Sequence, residues 1–198
     1  DFSPEFSRVL IEDEVLSVTP AGTAKCRCLT VDEDSSFTAN DIAVHNSLLV
    51  CVFWPAWVWI RLPVTRWLFA TYSQAFTLRD SDKCRQLIRS DWYQKNWPSV
   101  QIRAEQDSKT KFENTATGWR LATSVGGHGT GEHPDRIIAD DCHNVKQSQS
   151  EIERQRGVDW WNNTISTRGQ VRSSRRVVIM QRLHANDLSG DIISKGLW

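Results

Sequence analysis

The chain has 198 residues, and its 24 Lys and Arg balance 24 Asp and Glu, so the formal net charge is zero. That balance excludes a protein that coats nucleic acid through bulk positive charge, and equally an acidic solvating tail. With 39% hydrophobic and 24% charged residues, the composition is that of a folded chain of one domain or a little more. The zero hides a split. Residues 1–46 carry three basic and nine acidic residues, a net −6, whereas residues 47–198 carry 21 basic and 15 acidic, a net +6, and all ten Trp. Two pieces of different origin, 1–46 and 47–198, are the simplest account. The five Cys are odd in number and mostly far apart, which argues against a disulfide framework and for a reducing compartment. The most apolar run, Leu48–Ile60, contains Pro55 and is 13 residues long, short of the ~20 that span a bilayer. No membrane association is expected. The chain starts at Asp1 and its only Met is Met180, which predicts a piece of something longer.

In chain order, Val9-Leu10-Ile11 and Val15-Leu16-Ser17-Val18 are β-prone and run into a Pro20-Ala21-Gly22 turn. Cys26–Val31 reads as a second strand followed by a turn at Asp32–Ser36. Phe37-Thr38-Ala39-Asn40-Asp41 leads into a third strand, Ile42-Ala43-Val44, which ends at His45-Asn46-Ser47. That tripeptide has a specific chemistry. An Asn amide can attack its own carbonyl, forming a succinimide and cutting the chain after itself. A preceding His can assist by proton transfer, and a following Ser hydroxyl can accept an acyl group.

Taken together, Cys28-Leu29-Thr30-Val31-Asp32, Phe37–Asp41 and Ile42–Ser47 resemble the last two conserved blocks of inteins, over residues 9–47. The resemblance implies an all-β, Hint-like segment in which Asn46 cyclises, His45 assists, and Ser47 is the first C-extein residue and its nucleophile. Cys28 occupies a position where inteins often have an Asp that assists the branched intermediate, and Ser35 one where they often have a His. The N-terminal intein blocks are absent, so splicing is expected to need an N-terminal intein and extein segment as partner.

Beyond Ser47, helix and strand alternate. Leu48–Ile60 reads as a buried helix with Trp54, Trp57 and Trp59 as a core stripe, and Trp67–Tyr72 as a buried strand. Ser73 is expected to N-cap a helix to about Arg89. Lys109–Phe112 and Trp119–Thr123 flank a Thr117-Gly118 turn and read as a hairpin. Arg136–Ala139 is a short buried strand ending in Asp140-Asp141, Ser148 to about Ile165 is helical, and Val177–Met180 is another buried strand. The alternation predicts an α/β fold with a mostly parallel sheet. An apolar strand ending in two carboxylates is the chief chemical signal. In nucleotide hydrolases the first acid holds the Mg²⁺ shell and the second polarises the attacking water.

Several motifs then arrive in order: Phe53–Trp57, Phe69–Gln74, Arg79–Arg85, Leu121–Gly127, Asp140-Asp141, Trp160-Trp161, Thr164–Arg168 and Gln181–Leu188. Together they resemble the ATPase domain of the large terminase subunit of tailed bacteriophages, over nearly all of residues 47–190. The resemblance implies a P-loop NTPase-type fold, with ATP and Mg²⁺ as cofactors. Its implied partners are double-stranded DNA, the small terminase subunit and the portal protein, on which the subunit assembles as a homo-oligomer in the host-cell cytoplasm. Asp140 resembles the Walker B carboxylate of the Mg²⁺ shell. Asp141 stands where the catalytic carboxylate is more often Glu. Ser166 and Thr167 fall in the coupling motif, and Arg182 follows the next strand, within reach of the phosphates. The nuclease domain that follows such an ATPase has no candidate before Trp198.

The P-loop pattern, whose Lys meets the β/γ-phosphates and whose Ser/Thr meets Mg²⁺, is missing. Gly126-Gly127-His128-Gly129-Thr130-Gly131 lacks the Lys. In the terminase pattern Ser47 starts the helix after the P-loop, so His45-Asn46 stands where Gly-Lys is expected. The two resemblances together imply that the intein interrupts the P-loop between Lys and Ser, with Ser47 expected to serve splicing first and Mg²⁺ afterwards. Competing signals are weaker. His128, His133, Cys142 and His143 match no compact zinc spacing. Cys26-x-Cys28 has the look of a redox pair but falls in an expected strand. Arg172, Arg175 and Arg176 read as a solvated turn before they read as a phosphate contact. The rival readings are protein splicing as the operative activity and a related P-loop DNA helicase or translocase.

Overall fold

The computed structural model describes residues 36–39, 42–127, 131–165 and 174–196. The expected strands within residues 9–31 lie outside these, as do Cys26, Cys28 and Ser35. Among the described residues of the N-terminal piece the backbone forms a hairpin. Strands β1 (Ser36–Ala39) and β2 (Ile42–His45) pair antiparallel, with Ser36 opposite His45 and Ala39 opposite Ile42. The stretch expected only to lead into a strand is thus itself a strand.

The chain passes from β2 straight into helix: α1 (Asn46–Leu48), a π-helical turn (Leu49–Phe53) and α2 (Trp54–Arg61) are contiguous. The helix therefore begins two residues before its expected start, and the Asn46–Ser47 peptide bond lies inside it. Pro55 accounts for the widened turn. It has no N–H to return to the Cys51 carbonyl, and its ring would crowd that carbonyl in a regular α-helix. Arg120 Nη2 supplies the missing donor to Cys51 O, at 3.1 Å. Cys51, Val52, Ala56, Val58 and Trp59 face the core, while Leu49, Phe53 and Trp57, four residues apart, face outward. The expected Trp core stripe is corrected accordingly: Trp59 is buried and Trp57 is not.

Strand β3 (Trp67–Thr71) is buried throughout and is followed by α3 (Gln74–Arg89) and the short α4 (Asp91–Asn96). Ser73 sits at the N-cap of α3 but its side chain makes no capping bond; Thr71 Oγ1 accepts from Ser73 N instead, at 3.1 Å. Three antiparallel strands come next, β4 (Ile102–Asp107), β5 (Lys111–Asn114) and β6 (Trp119–Ser124), the first of which the sequence pattern did not suggest. The β5–β6 turn is held by Asn114 Oδ1, which accepts from Ala116 N and Gly118 N at 3.0 Å each. Gly118 is required there, because a Cβ would lie 1.9 Å from Pro63 O.

Strand β7 (Arg136–Asp140) leads to α5 (Val145–Gln149), α6 (Glu151–Asp159) and a second π-helical turn (Trp160–Ile165). The single helix expected over Ser148–Ile165 is therefore broken. Ser150 breaks it by ending α5 in extended backbone and accepting from Glu153 N to cap α6. Strand β8 (Arg175–Ile179) and α7 (Leu188–Ser194) complete the described chain. Arg175 and Arg176 open β8 and so do not belong to a turn; Arg172 lies outside the described residues.

One six-stranded sheet results, in the order β4-β5-β6-β3-β7-β8, with β6, β3, β7 and β8 mutually parallel. The mixed α/β fold with a mostly parallel sheet is as expected. Side chains alternate between two cores. Trp67 and Phe69 of β3 and Ile138 of β7 pack with Cys51, Trp59, Cys84 and Ile88 on one face. Leu68, Ala70, Ile137 and Ala139 pack with Trp160, Trp161, Leu188 and Ile192 on the other. Both faces of the parallel strands are covered by helices, which is why these strands read as continuous apolar runs.

Candidate metal and nucleotide site

In open α/β sheets, ligands bind beyond the carboxyl ends of the parallel strands. Here β6, β3 and β7 end level with one another and are laced together at that edge. Val125 N donates to Thr71 O at 2.9 Å, Tyr72 N to Asp141 O at 2.9 Å, and Asp141 N to Ile179 O at 2.7 Å. Thr77, from the first turn of α3, donates to Thr123 O at 2.7 Å and closes the rim.

Asp140 is the last residue of β7. It lies two positions beyond Ile138, so by the strand period it faces the layer containing the first helix. Two side chains of that helix reach it. The Ser47 hydroxyl donates to the Asp140 carboxylate. One turn later, Cys51 Sγ lies 3.6 Å from Asp140 Oδ2 as a thiol donor. The carboxylate is 4% exposed, and its Oδ1 has no partner among the described residues. Burial, and then the neighbouring charges of Asp141 and Asp80, push its pKa up to about 7 against the lowering effect of the two donors. Burial also raises the Cys51 thiol well above its ordinary value, with Asp140 adding to the effect. Cys51 is therefore a neutral donor and not a thiolate.

Asp141 leaves the strand at φ 45°, in the left-handed region that Asp tolerates better than most residues. Burial raises its pKa, while the Gln181 backbone N–H donates to its carboxylate and opposes the rise. Asp80 of α3, whose charge acts on Asp140, is 3% exposed and is held by Arg79, Nε to Oδ1 at 2.9 Å and Nη2 to Oδ2 at 3.2 Å. Arg120 of β6 is fully buried over the Phe69 ring, 4.0 Å from its centroid, and burial lowers its pKa. Its bond to Cys51 O fixes the π-helical turn that carries the thiol.

A buried, unpartnered carboxylate oxygen beside a hydroxyl is a hard-oxygen donor set of the kind Mg²⁺ takes, with most of its shell left to water and phosphate. Ser47 and Asp140 fit that ion; the soft Cys51 sulfur does not. Among the described residues no three His, Cys, Asp or Glu are grouped to hold a metal, so His133, Cys142 and His143 form no zinc site, and His128 lies outside those residues.

Ser47 and Asp140, 93 positions apart, were both named from sequence and meet here, with Asp141 adjacent. His45 ends β2 and Asn46 opens α1, immediately before Ser47. Cys28, Ser166 and Thr167 lie outside the described residues. Arg182 is exposed and bound to its own loop, Nε to His184 O at 3.2 Å and Nη2 to Ala185 O at 3.0 Å, with Asp187 Oδ1 3.5 Å from Nε. Sequence reasoning missed Cys51, Asp80, Arg79 and Arg120. The four-residue step from Ser47 to Cys51 was a usable signal. So was Asp80, a carboxylate on the same face of α3 as the buried Thr77, Cys84 and Ile88.

No protein-family profile matches the chain, and no curated protein matches it. Among solved structures, the chain is similar to the large terminase of bacteriophage HK97, with 17% sequence identity and a TM-score of 0.45, over 67% of this chain. The match spans about a quarter (26%) of that protein's length.

Proposed function

We propose that residues 47–198 are part of the ATPase domain of a phage large terminase, and that residues 1–46 are the C-terminal segment of an intein that interrupts its P-loop. The spliced protein would hydrolyse Mg-ATP to drive double-stranded DNA into a prohead, with the small terminase subunit and the portal as partners and as a homo-oligomer on that portal. The observation that carries this reading is the hydrogen bond between Ser47 and Asp140. The residue that splicing would make the first of the C-extein already touches the buried carboxylate read as Walker B. When bound, Mg²⁺ would neutralise the β- and γ-phosphate oxygens. Ser47 and Asp140 would hold it, and Asp141 would orient the attacking water and receive its proton.

For splicing, the reading assigns chain cleavage to Asn46 cyclisation, assistance to His45 and acyl acceptance to Ser47, with Cys28 near the branched intermediate. Ser166 and Thr167 are assigned to nucleotide sensing and Arg182 to the region of the phosphates. The isolated chain has no Gly-Lys before Ser47 and should not hydrolyse Mg-ATP. Joining an upstream segment ending in Gly-Lys to Ser47 should switch phosphate release on. Undiminished hydrolysis by the isolated chain would defeat the reading, and so would an inactive ligated chain.

A further inference from the structure

The site described so far is acidic. Asp140 and Asp141 stand together at the end of β7, the charge of Asp80 in α3 acts on Asp140, and both Asp80 and Asp140 are almost fully buried. A bound triphosphate needs cationic donors there besides a metal, and hydrolysis needs them most as charge develops on the transferring group. Arg182, assigned above to the region of the phosphates, binds its own loop through Nε and Nη2, and Arg120 is sealed in the core.

Arg79 is differently placed. It lies in the second turn of α3, the helix that begins just past the end of β3, and β3 is level with β7. Its Nε and Nη2 edge is clamped by buried Asp80, and its plane rests on the Phe76 ring, 5.1 Å from the centroid. Two of its five N–H donors are used in the clamp, while the side chain remains 51% exposed. The Asp80 bonds raise its pKa and hold it protonated, and the negative charge of Asp140 adds to that effect. The result is a guanidinium fixed on its inner edge by Asp80, stacked on one face and half exposed to solvent, in the helix that starts at the carboxyl end of β3. That preorganisation suits a fork for phosphate oxygens.

We infer that Arg79 is a phosphate-binding residue of this site, donating from its outer edge to the γ-phosphoryl oxygens of a nucleoside triphosphate, with Asp80 as its positioning residue. The inference rests on the ATPase reading above. In the reaction, water oxygen forms a bond to the γ-phosphorus as the bond from that phosphorus to the bridging oxygen breaks. The bridging oxygen leaves on the diphosphate with the electron pair, and the water proton passes to Asp141 and on to solvent. Arg79 would stabilise the charge on the non-bridging oxygens and exchange no proton.

The test uses the chain ligated at Ser47 to a segment ending in Gly-Lys. Arg79→Ala alone would strand the buried Asp80 carboxylate, so the informative variants are the Arg79→Ala/Asp80→Asn double substitution, which leaves the core neutral, and Arg79→Lys, which keeps a charge against Asp80. The double variant should lose about 100-fold in kcat, in the range of a lost transition-state donor, with KM for ATP within about threefold. Arg79→Lys should recover about a tenth of wild-type kcat. A folded double variant within twofold of wild-type kcat would overturn the role of Arg79 and leave the ATPase reading standing. No hydrolysis by the wild-type ligated chain would overturn the ATPase reading and this inference with it.

Discussion

Asp140→Asn should stabilise the metal-free protein, and only at the pH values where Asp140 is charged. A carboxyl whose pKa rises on folding from an ordinary 3.8 to about 7 holds its proton about 4 kcal/mol more tightly in the native state, at about 1.4 kcal/mol per pH unit. With the side chain 4% exposed, solvent does little to screen that penalty. The sign follows from linkage. Between pH 4 and 7 the native state binds more protons here than the unfolded chain, so this group's contribution, complete below pH 4, is lost as pH rises toward 7. Asn cannot ionise, and its amide can still accept from Ser47 and Cys51. The advantage of Asp140→Asn over wild type should therefore grow by about 4 kcal/mol from pH 4 to pH 8. Urea unfolding followed by Trp fluorescence in the presence of a chelator, with both proteins at each pH, measures this directly. The difference between the proteins isolates Asp140 from every other titrating group. Two stability curves that run parallel across the window would refute the claim that Asp140 is a buried carboxylate strained by its surroundings.

Other substitutions probe neighbouring parts. Cys51→Val removes a donor that favours the charged form of Asp140, so divalent-ion affinity should fall about threefold near pH 7 and be unchanged at pH 9, as read by Mn²⁺ titration. Gly157→Ala would set a Cβ 2.3 Å from His143 Cε1 and should destabilise by about 1–3 kcal/mol; adding His143→Ala should recover part of that loss in the same unfolding assay. Asp141→Asn and Asp141→Ala should both abolish hydrolysis in the ligated chain. Ala should also cost about 1 kcal/mol of stability, because it tolerates the φ of 45° less well than Asn.

The parallel core was readable because its strands are buried on both faces and so run apolar without interruption, as in Trp67–Ala70 and Ile137–Ala139. The acidic pair at the end of β7 was readable for the same reason, since a carboxylate stands out against such a run. What the sequence hid depends on distant partners. Nothing local indicates that Pro55 would open a π-helical turn, because the donor that makes the turn affordable is Arg120, 69 residues from Cys51. The helix break at Ser150 was hidden by amphipathic, charged flanks that fit one helix as well as two. Trp57 was misjudged because three Trp within six residues suggest a core, whereas the helical period sends Trp57 out with Leu49 and Phe53. Arg79 opens one of the motifs of the terminase resemblance, Arg79–Arg85, but nothing in that motif marked it as a phosphate ligand. Its interest comes from the buried Asp80 beside it and from the strand edge that α3 overlies.

The central claim is that Ser47 and Asp140 form one site for a divalent ion. Mn²⁺ binding at pH 8, followed by electron paramagnetic resonance, tests it most directly on the wild-type chain, Ser47→Ala, Asp140→Asn and the double variant. If both residues hold the same ion, each single substitution weakens binding by about tenfold or more, and the double variant is little worse than Asp140→Asn alone, as expected for residues acting as a unit. Saturable Mn²⁺ binding that is indifferent to both substitutions, or losses that simply add, would contradict it.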